Sequence, residues 1–353
     1  MRQRRRNLLK HARKTGCDAL AAFEPENLFY MTGFWGEAVG LLKKGRTVII
    51  TPELEAGRAA AESTDCDVIV AQRGSGMIPT LAREAGRSSV CTDCRDYTTM
   101  TAVKKLIPRV RQSVEPFYES RMIKDEAEAR ILKKASRIID GMFEMCAKKM
   151  RAGQKESELQ AILMNHAMEH GMFDTGYHST LNPLIIAGGP NGALPHAQVT
   201  GRKFKRGDLV VVDLTLRYKG YVSDATRTFA VGAVPAQASD AYGIVKESQK
   251  LGLGAVCPGK LCSDVDSACR NYIEKNGHGK YFIHSTGHGI GLEVHEPPAV
   301  STGSHTKLRK NMAITVEPGV YMDGKFGIRI EDSVLVRDRP VVMHKFTKDM
   351  ITV

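Results

Sequence analysis

The sequence predicts an α+β chain of two domains: a small α/β domain (1–116) and a larger domain (117–353) with a curved, mostly antiparallel sheet flanked by helices. Three observations carry this expectation. Up to residue 115, short β-rich and helix-like pieces alternate. A long run of helical spacing opens after Pro116. From 208 onward, β-branched arms about glycine turns dominate. A chain of 353 residues, 42% of them hydrophobic, can build two cores.

The elements follow in chain order. "MRQRRRNLLKHARKTG" reads as a basic amphipathic helix; it never reaches the apolar run of a signal peptide, so export is not expected. "RTVIITP" (46–52) and "CDVIVAQ" (66–72) read as strands, "ELEAGRAAAES" (53–63) and "TLAREAG" (80–86) as helices. In the stretch 114–150, Ile123, Ala127, Ile131, Leu132, Ala135, Ile138, Ile139 and Phe143 keep helical spacing. A second helix spans 156–172. It holds His166 and His170 four residues apart, and with no acid taken to complete a site they read as ordinary helix residues. A Gly/Pro/Asn-rich loop (187–201) follows, and two more helices are expected at 239–255 and 263–276.

Composition narrows the function classes. No stretch approaches the length of a transmembrane span. The net charge is +12, yet 51 basic residues are spread among 39 acids, with the densest runs at 2–6 and 202–206. We read that charge as solvated surface and expect no nucleic-acid partner. Eight cysteines are scattered without a framework, so reduced thiols in a cytoplasm are expected, and Cys91-x-x-Cys94 stands alone without a second pair.

The chemistry lies in three segments. "DLVVVDLTLRYKGYVSDATRTFAVG" (208–232) has two β-rich arms about Lys219-Gly220. A hairpin centred on 218–219 would set Asp213 directly opposite Asp224. Two aspartates so placed repel unless a cation sits between them or one keeps its proton. "AITVEPGVYMDGKFGIRIEDSVLV" (313–336) repeats the construction about Asp323-Gly324, with Glu317 and Glu331 seven residues to either side of Gly324. The third segment, "HSTGHGIGLEVHE" (284–296), holds His288 between Gly287 and Gly289. Those glycines are expected to let the backbone pass close to bound metal. Four carboxylates and one imidazole suit Mn²⁺, Co²⁺, Fe²⁺ or Zn²⁺, and are enough ligands for two ions. His196, His284 and His295 are left as contacts to substrate or to ligands. Arg329, on the strand face of Glu331, is expected to orient or balance that carboxylate.

In this order, Asp213, Asp224, His288, Glu317 and Glu331 resemble the five metal ligands of the pita-bread metallopeptidases. That family includes methionine aminopeptidases, Xaa-Pro aminopeptidases, Xaa-Pro dipeptidases and creatinase. The likeness runs through "PNGALPHAQVTGRKFKRGDLVVVDL", "GYVSDATRTF", "HSTGHGIGLEVHEPP", "ITVEPGVY" and "GIRIEDSVLV", from about 120 to the end. "ENLFYMTGF" (26–34) resembles a strand-start signature of the creatinase-like N-terminal domain, which methionine aminopeptidases lack. The complete ligand set argues against creatinase.

The resemblance implies a homodimeric, dinuclear enzyme using two divalent ions, Mn²⁺ or Co²⁺ before Zn²⁺ or Fe²⁺, in the cytoplasm that the cysteines and the N-terminus already suggest. It would cleave the bond before proline in short peptides, with His196, His284, His295, Glu317 and Arg329 as catalytic residues. An Xaa-Pro dipeptidase is preferred. The alternatives are an Xaa-Pro aminopeptidase acting on longer peptides and, from a different class, a non-catalytic binding protein on the same fold. Two departures stand out. Thr215-Leu216 replace a small Gly-Ala or Ser-Ala pair. Ala299 stands where several archaeal dipeptidases carry an arginine for the substrate's C-terminal carboxylate.

Overall fold

The computed structural model describes residues 1–177 and 184–353, which form two compact units, Met1–Arg121 and Met122–Val353. In the first unit, a six-stranded sheet runs in the order Asp67–Val70, Arg46–Thr51, Val39–Lys43, Ala19–Ala22, Val90–Thr92, Val110–Gln112. The second and third of these strands make a hairpin whose turn, Lys44-Gly45, has positive φ at both positions. That is the backbone a two-residue hairpin needs. Ala19, Ala21, Leu41, Val48 and Ile50 meet Leu81 and Val103 of the covering helices in one core.

Two expectations fail here. The segment 26–34 is a helix (Pro25–Thr32), not the start of a strand. Pro25 opens its first turn with φ already set, and Gly33 closes it in the left-handed region at φ 86°. The thiols are not all reduced, because Cys17 and Cys91 form a disulfide across a Cα–Cα distance of 5.7 Å. Their separation of 74 residues hid the pair. The parallel pairing of Ala19–Ala22 with Val90–Thr92 brings them together.

The helical run read from 114 onward is broken in two. Glu115–Arg121 closes the first unit, and a new helix, Glu126–Lys149, starts at a capping box. Asp125 accepts from the Glu128 N–H at 2.8 Å while the Glu128 carboxylate accepts from the Asp125 N–H at 2.8 Å. Glu126–Lys149 and Glu156–Glu169 cover the hairpin Leu209–Tyr218/Tyr221–Ala230 through Ile139, Phe143, Leu163, Val212 and Phe229. Phe204, the one aromatic of the basic run 202–206, is buried in the same core. Helices Ala236–Ala255 and Cys262–Lys275 cover the strands of the last third through Val245, Val265, Ile314 and Ile328. Those strands are all antiparallel.

The hairpin registers decide where the acids go. Lys219 (φ 49°) and Gly220 (φ 86°) make a two-residue turn, so Tyr218 pairs with Tyr221. Asp213 therefore faces Thr226 and Asp224 faces Thr215, so the two aspartates are diagonal and not opposed. In the other hairpin Val320 pairs with Ile328 and Val316 with Asp332. The register is unbroken across the gap, and it sets Glu317 level with Glu331.

Candidate metal centre

Two of the acids come from strand interiors, where aspartate is a poor strand former held by neighbours, and two from breaks between strands. Asp213 lies on Leu209–Tyr218 and Asp224 on Tyr221–Ala230. Glu317 and Glu331 sit where the ladder 313–316/332–335 hands over to the ladder 319–322/326–329. All four line one cavity of about 390 Å³, together with His196, His284, His288, His295 and Arg329. The structure thus gathers every residue singled out from the sequence around a single space.

Asp224 and Glu331 are buried, at 5% and 1% exposure, and Asp213 and Glu317 are partly buried. Burial, followed by the negative charges of Asp213 and Glu317, pushes the Asp224 carboxyl well above its usual range. Burial and then Asp224 do the same to Glu331. Glu317 is also raised, mainly by burial, with His284 and Arg329 pulling the other way. Left to itself, this cluster would take up protons to relieve its charge.

His288 explains what the cluster suits better. Its Nδ1 lies 3.0 Å from the Gly289 carbonyl, which makes Nδ1 the protonated nitrogen and leaves an Nε2 lone pair. Nε2 then faces Asp224 Oδ2 at 3.8 Å and Glu317 Oε1 at 3.4 Å. Burial holds the imidazole pKa down, so it stays neutral and has no proton to share with them. A lone pair aimed at buried carboxylates calls for a cation between them. Asp224, His288 and Glu331 already place one donor atom each within 4.8 Å of one another. The donor set fits divalent metal ions.

The flanking glycines have a different reason from the expected one. A Cβ on Gly287 would meet the Thr315 carbonyl oxygen at 2.1 Å, and one on Gly289 would meet the Pro297 carbonyl oxygen at 2.3 Å. Neighbouring strands, not metal, exclude a side chain on either side of His288.

Arg329 balances the charge of Glu331 as expected, acting against the upward push of burial, and it also binds a second acid directly. Its Nη2 donates to Asp213 Oδ2 at 2.5 Å. Its hydrogen bonds reach Glu331 through Thr226, whose hydroxyl accepts from Arg329 Nε at 3.0 Å and donates to Glu331 Oε2 at 2.7 Å. A second chain runs from Arg329 Nη1 to the Tyr321 hydroxyl (2.6 Å) and on to His284 Nε2 (3.0 Å). His284 Nδ1 donates to the Ser285 carbonyl at 2.7 Å. Across the cavity, His295 Nδ1 pairs with the Tyr177 hydroxyl at 3.1 Å, and its ring stands edge-on to His288 with centroids 4.3 Å apart.

Sequence reasoning missed Tyr177, Thr226 and Tyr321, and the Arg270–Asp266 pair. Asp266 Oδ1 accepts from both the N–H and the hydroxyl of Thr286, while Arg270 holds the His284 carbonyl. Thr226 carried the one usable signal, a position two residues after Asp224 on the same strand face. Glu156 was missed as well. Its buried carboxylate accepts from Gly188 N, Asn191 Nδ2 and Thr200, and so pins both ends of the loop carrying His196.

Comparison with known proteins adds to this geometry. The profile of metallopeptidase family M24 matches residues 130–338, and that of the Creatinase/Prolidase N-terminal domain matches 4–123. An Xaa-Pro dipeptidase of Pyrococcus horikoshii is 34% identical over 345 residues, 95% of each chain. The structure of an Xaa-Pro dipeptidase from Bacillus anthracis superposes with a TM-score of 0.92 at 32% identity, covering 99% of both chains. An X-Pro aminopeptidase from Thermotoga maritima matches with a TM-score of 0.85 at 28% identity, over 98% of this chain and 100% of that one.

Proposed function

This chain belongs to metallopeptidase family M24, and from that premise we propose that it is an Xaa-Pro dipeptidase that hydrolyses the bond before proline in short peptides. The observation that carries the reading is the gathering of four carboxylates, the His288 lone pair and three further histidines around one cavity. Asp213, Asp224, His288, Glu317 and Glu331 would hold two divalent ions, Mn²⁺ or Co²⁺ in the first instance. When bound, such ions supply Lewis acidity and make hydroxide available near neutral pH.

The chain's own groups do the rest. Glu317 takes the proton of the attacking water and passes it to the imino nitrogen of proline as the bond breaks. His196 donates a hydrogen bond to the carbonyl oxygen as negative charge builds there. His284, with Nδ1–H committed to Ser285, keeps Nε2 in the Arg329–Tyr321 chain and so stays in one orientation. His284 and His295 flank the proline ring. The X–Pro bond has no N–H to satisfy, so imidazole edges and apolar walls such as Val294 and Ile185 suffice on that side.

Ala299, which lines the cavity, favours a second reading. It offers no charge to a dipeptide's C-terminal carboxylate, as an Xaa-Pro aminopeptidase acting on longer peptides would not require. No helix of the described residues is long and apolar enough to cross a membrane. We place the enzyme in the cytoplasm as a homodimer on the sequence reading. The Cys17–Cys91 bridge, of a kind commoner in oxidising compartments, stands against the first half of that placement.

Hydrolysis of Met-Pro, Met-Pro-Gly and a proline-free dipeptide, by metal-free enzyme and with added Mn²⁺ or Co²⁺, tests the proposal. Metal-dependent cleavage of Met-Pro with little cleavage of the other two is the expected result. Cleavage of the tripeptide alone would establish the aminopeptidase, and no cleavage with any metal would overturn both readings in favour of a binding protein.

A further inference from the structure

The helix Glu156–Glu169 and its cap residue carry a cluster that the peptidase chemistry does not use. His166, Glu169 and His170 place one donor atom each within 4.8 Å of one another. None of the three lines the cavity of the metal centre. The sequence reading set the two histidines aside because no acid was taken to complete a site, yet Glu169 brings a carboxylate oxygen within 4.8 Å of both. Residues three and four apart share a helix face, and the two imidazoles are in contact with centroids 4.3 Å apart and planes tilted by 34°.

Several contacts prepare these side chains to bind. His170 Nδ1 lies 2.8 Å from the His166 carbonyl. The hydrogen bond puts the proton on Nδ1 and turns the Nε2 lone pair outward, the arrangement found at ligating histidines. Asn165 Nδ2 donates to Glu169 Oε1 at 2.8 Å, which orients that carboxylate and leaves Oε2 open. The His166 ring occupies the space over Gly141 of the neighbouring helix, where a Cβ would meet Nε2 at 3.2 Å. A glycine inside a helix costs about 1 kcal/mol against alanine, and room for this ring gives the position a reason. Burial and the neighbouring His170 hold the His166 pKa down, while Glu169 and the facing Glu144 act to raise it.

We propose that His166, Glu169 and His170 form a peripheral binding site for a borderline divalent ion of the zinc type, distinct from the dinuclear centre. Two imidazoles and one carboxylate suit Zn²⁺, Ni²⁺ or Cu²⁺ and not Mg²⁺ or Ca²⁺, which take oxygen ligands. Modest rotation of the exposed Glu169 and His170 side chains closes the donors onto one ion. The site is open to solvent, so water completes the coordination. The bound ion pins the last turn of the helix.

The test counts ions. Manganese-loaded enzyme is dialysed to equilibrium against micromolar Zn²⁺, and total zinc plus manganese per chain is measured for the wild type and for His166→Gln/His170→Gln. The wild type is expected to hold one ion more per chain, with Met-Pro turnover equal in the two proteins. Glu169→Gln is expected to weaken the extra zinc about tenfold. Equal ion counts in wild type and double variant would overturn the proposal. Should the double variant melt early, His170→Gln, at an exposed position, decides the matter by the same count. Absence of peptidase activity would refute the assigned function and leave this count unchanged.

Discussion

The hairpins 209–230 and 313–335 each bring two carboxylates to the same cavity, but they do so by different registers. A two-residue turn at Lys219-Gly220 pairs Tyr218 with Tyr221 and leaves Asp213 and Asp224 on a diagonal. Each of these acids faces a threonine. In the second hairpin the residues between Met322 and Phe326 form a three-residue turn, and the pairing is symmetric about Gly324. Glu317 and Glu331 therefore stand level where two ladders meet. Where the turn is centred decides whether two acids stand opposite each other: a turn at 218–219 would pair Asp213 with Asp224, and the turn one residue later, at Lys219-Gly220, slides the pairing past that point. The turn of the first hairpin instead gives each acid a hydroxyl partner across the strands, and that difference governs what each hairpin should lose on mutation.

The largest effect is expected from removing a carboxylate or the imidazole. Asp224→Ala and Glu331→Ala, one from each hairpin, should each lower kcat/KM for Met-Pro by about 10³-fold or more, as should His288→Ala. Metal analysis should show fewer bound ions in each variant. If one hairpin's variant kept its metal and its activity, the two hairpins would not serve a single centre.

Next in size is the support of the second hairpin. Arg227, 2% exposed, donates to the Glu331 carbonyl at 2.6 Å and to Asp332 Oδ1 at 2.8 Å. Burial alone would push the Asp332 carboxyl up, but Arg227 and Lys348 outweigh it and hold it low. Arg227→Met strands that buried charge and should cost about 3–5 kcal/mol, read from denaturant melts. A cost below about 1 kcal/mol would mean that Lys348 and Gln249 suffice, since both also reach Asp332 Oδ2.

Asp93 in the first unit shows what happens to a carboxylate buried among uncharged donors. It accepts from Phe23 N at 2.7 Å and from Asn27 Nδ2 at 2.8 Å, yet burial pushes its pKa up to about 7. The folded chain then binds this proton more tightly than the unfolded chain, whose aspartate titrates near 3.9. The associated stability is fully present below about pH 4 and is lost as pH rises through 7, on the order of 4 kcal/mol. Melts between pH 5 and 8 should show a downward slope that Asp93→Asn flattens. The same slope in both proteins would assign it to other groups.

Much of this was legible in the sequence, for identifiable reasons. Turn glycines and β-branched arms announce hairpins locally, and an acid inside such an arm contradicts its surroundings, so Asp213, Asp224, Glu317 and Glu331 stood out. Register was not legible, because moving the turn by one residue, from 218–219 to Lys219-Gly220, changes which residues are opposed while composition and faces stay the same. Pro25–Thr32 was misread because Leu28, Phe29 and Tyr30 also suit a strand. Contacts between distant segments, such as Cys17–Cys91 and the buried Lys124–Glu296 pair at 2.5 Å, leave no local trace.

A smaller effect separates the two threonines. Thr226 is fully buried and joins Arg329 to Glu331, whereas Thr215, less buried, donates to Asp224 Oδ1 at 2.8 Å. Thr226→Val should weaken Mn²⁺ binding about 10–100-fold, and Thr215→Val about tenfold or less. Titration of metal-free enzyme with activity as the readout ranks them. The reverse order would mean that the diagonal pair, and not the level one, depends more on its hydroxyl.

The smallest effect tests whether the turn or the ladder places Asp224. Gly220 and Gly324 both hold positive φ, at 86° and 68°, so alanine at either should cost about 1 kcal/mol. Ten paired positions follow the first turn, and a slip by one residue would send Val210 and Val212 out of the core and Asp213 into it. The core therefore excludes a one-residue slip, and Gly220→Ala should lower the melting midpoint while leaving kcat/KM unchanged. A tenfold fall in kcat/KM for Gly220→Ala, absent from Gly324→Ala, would show instead that the turn holds Asp224 in place and that the long ladder only follows it.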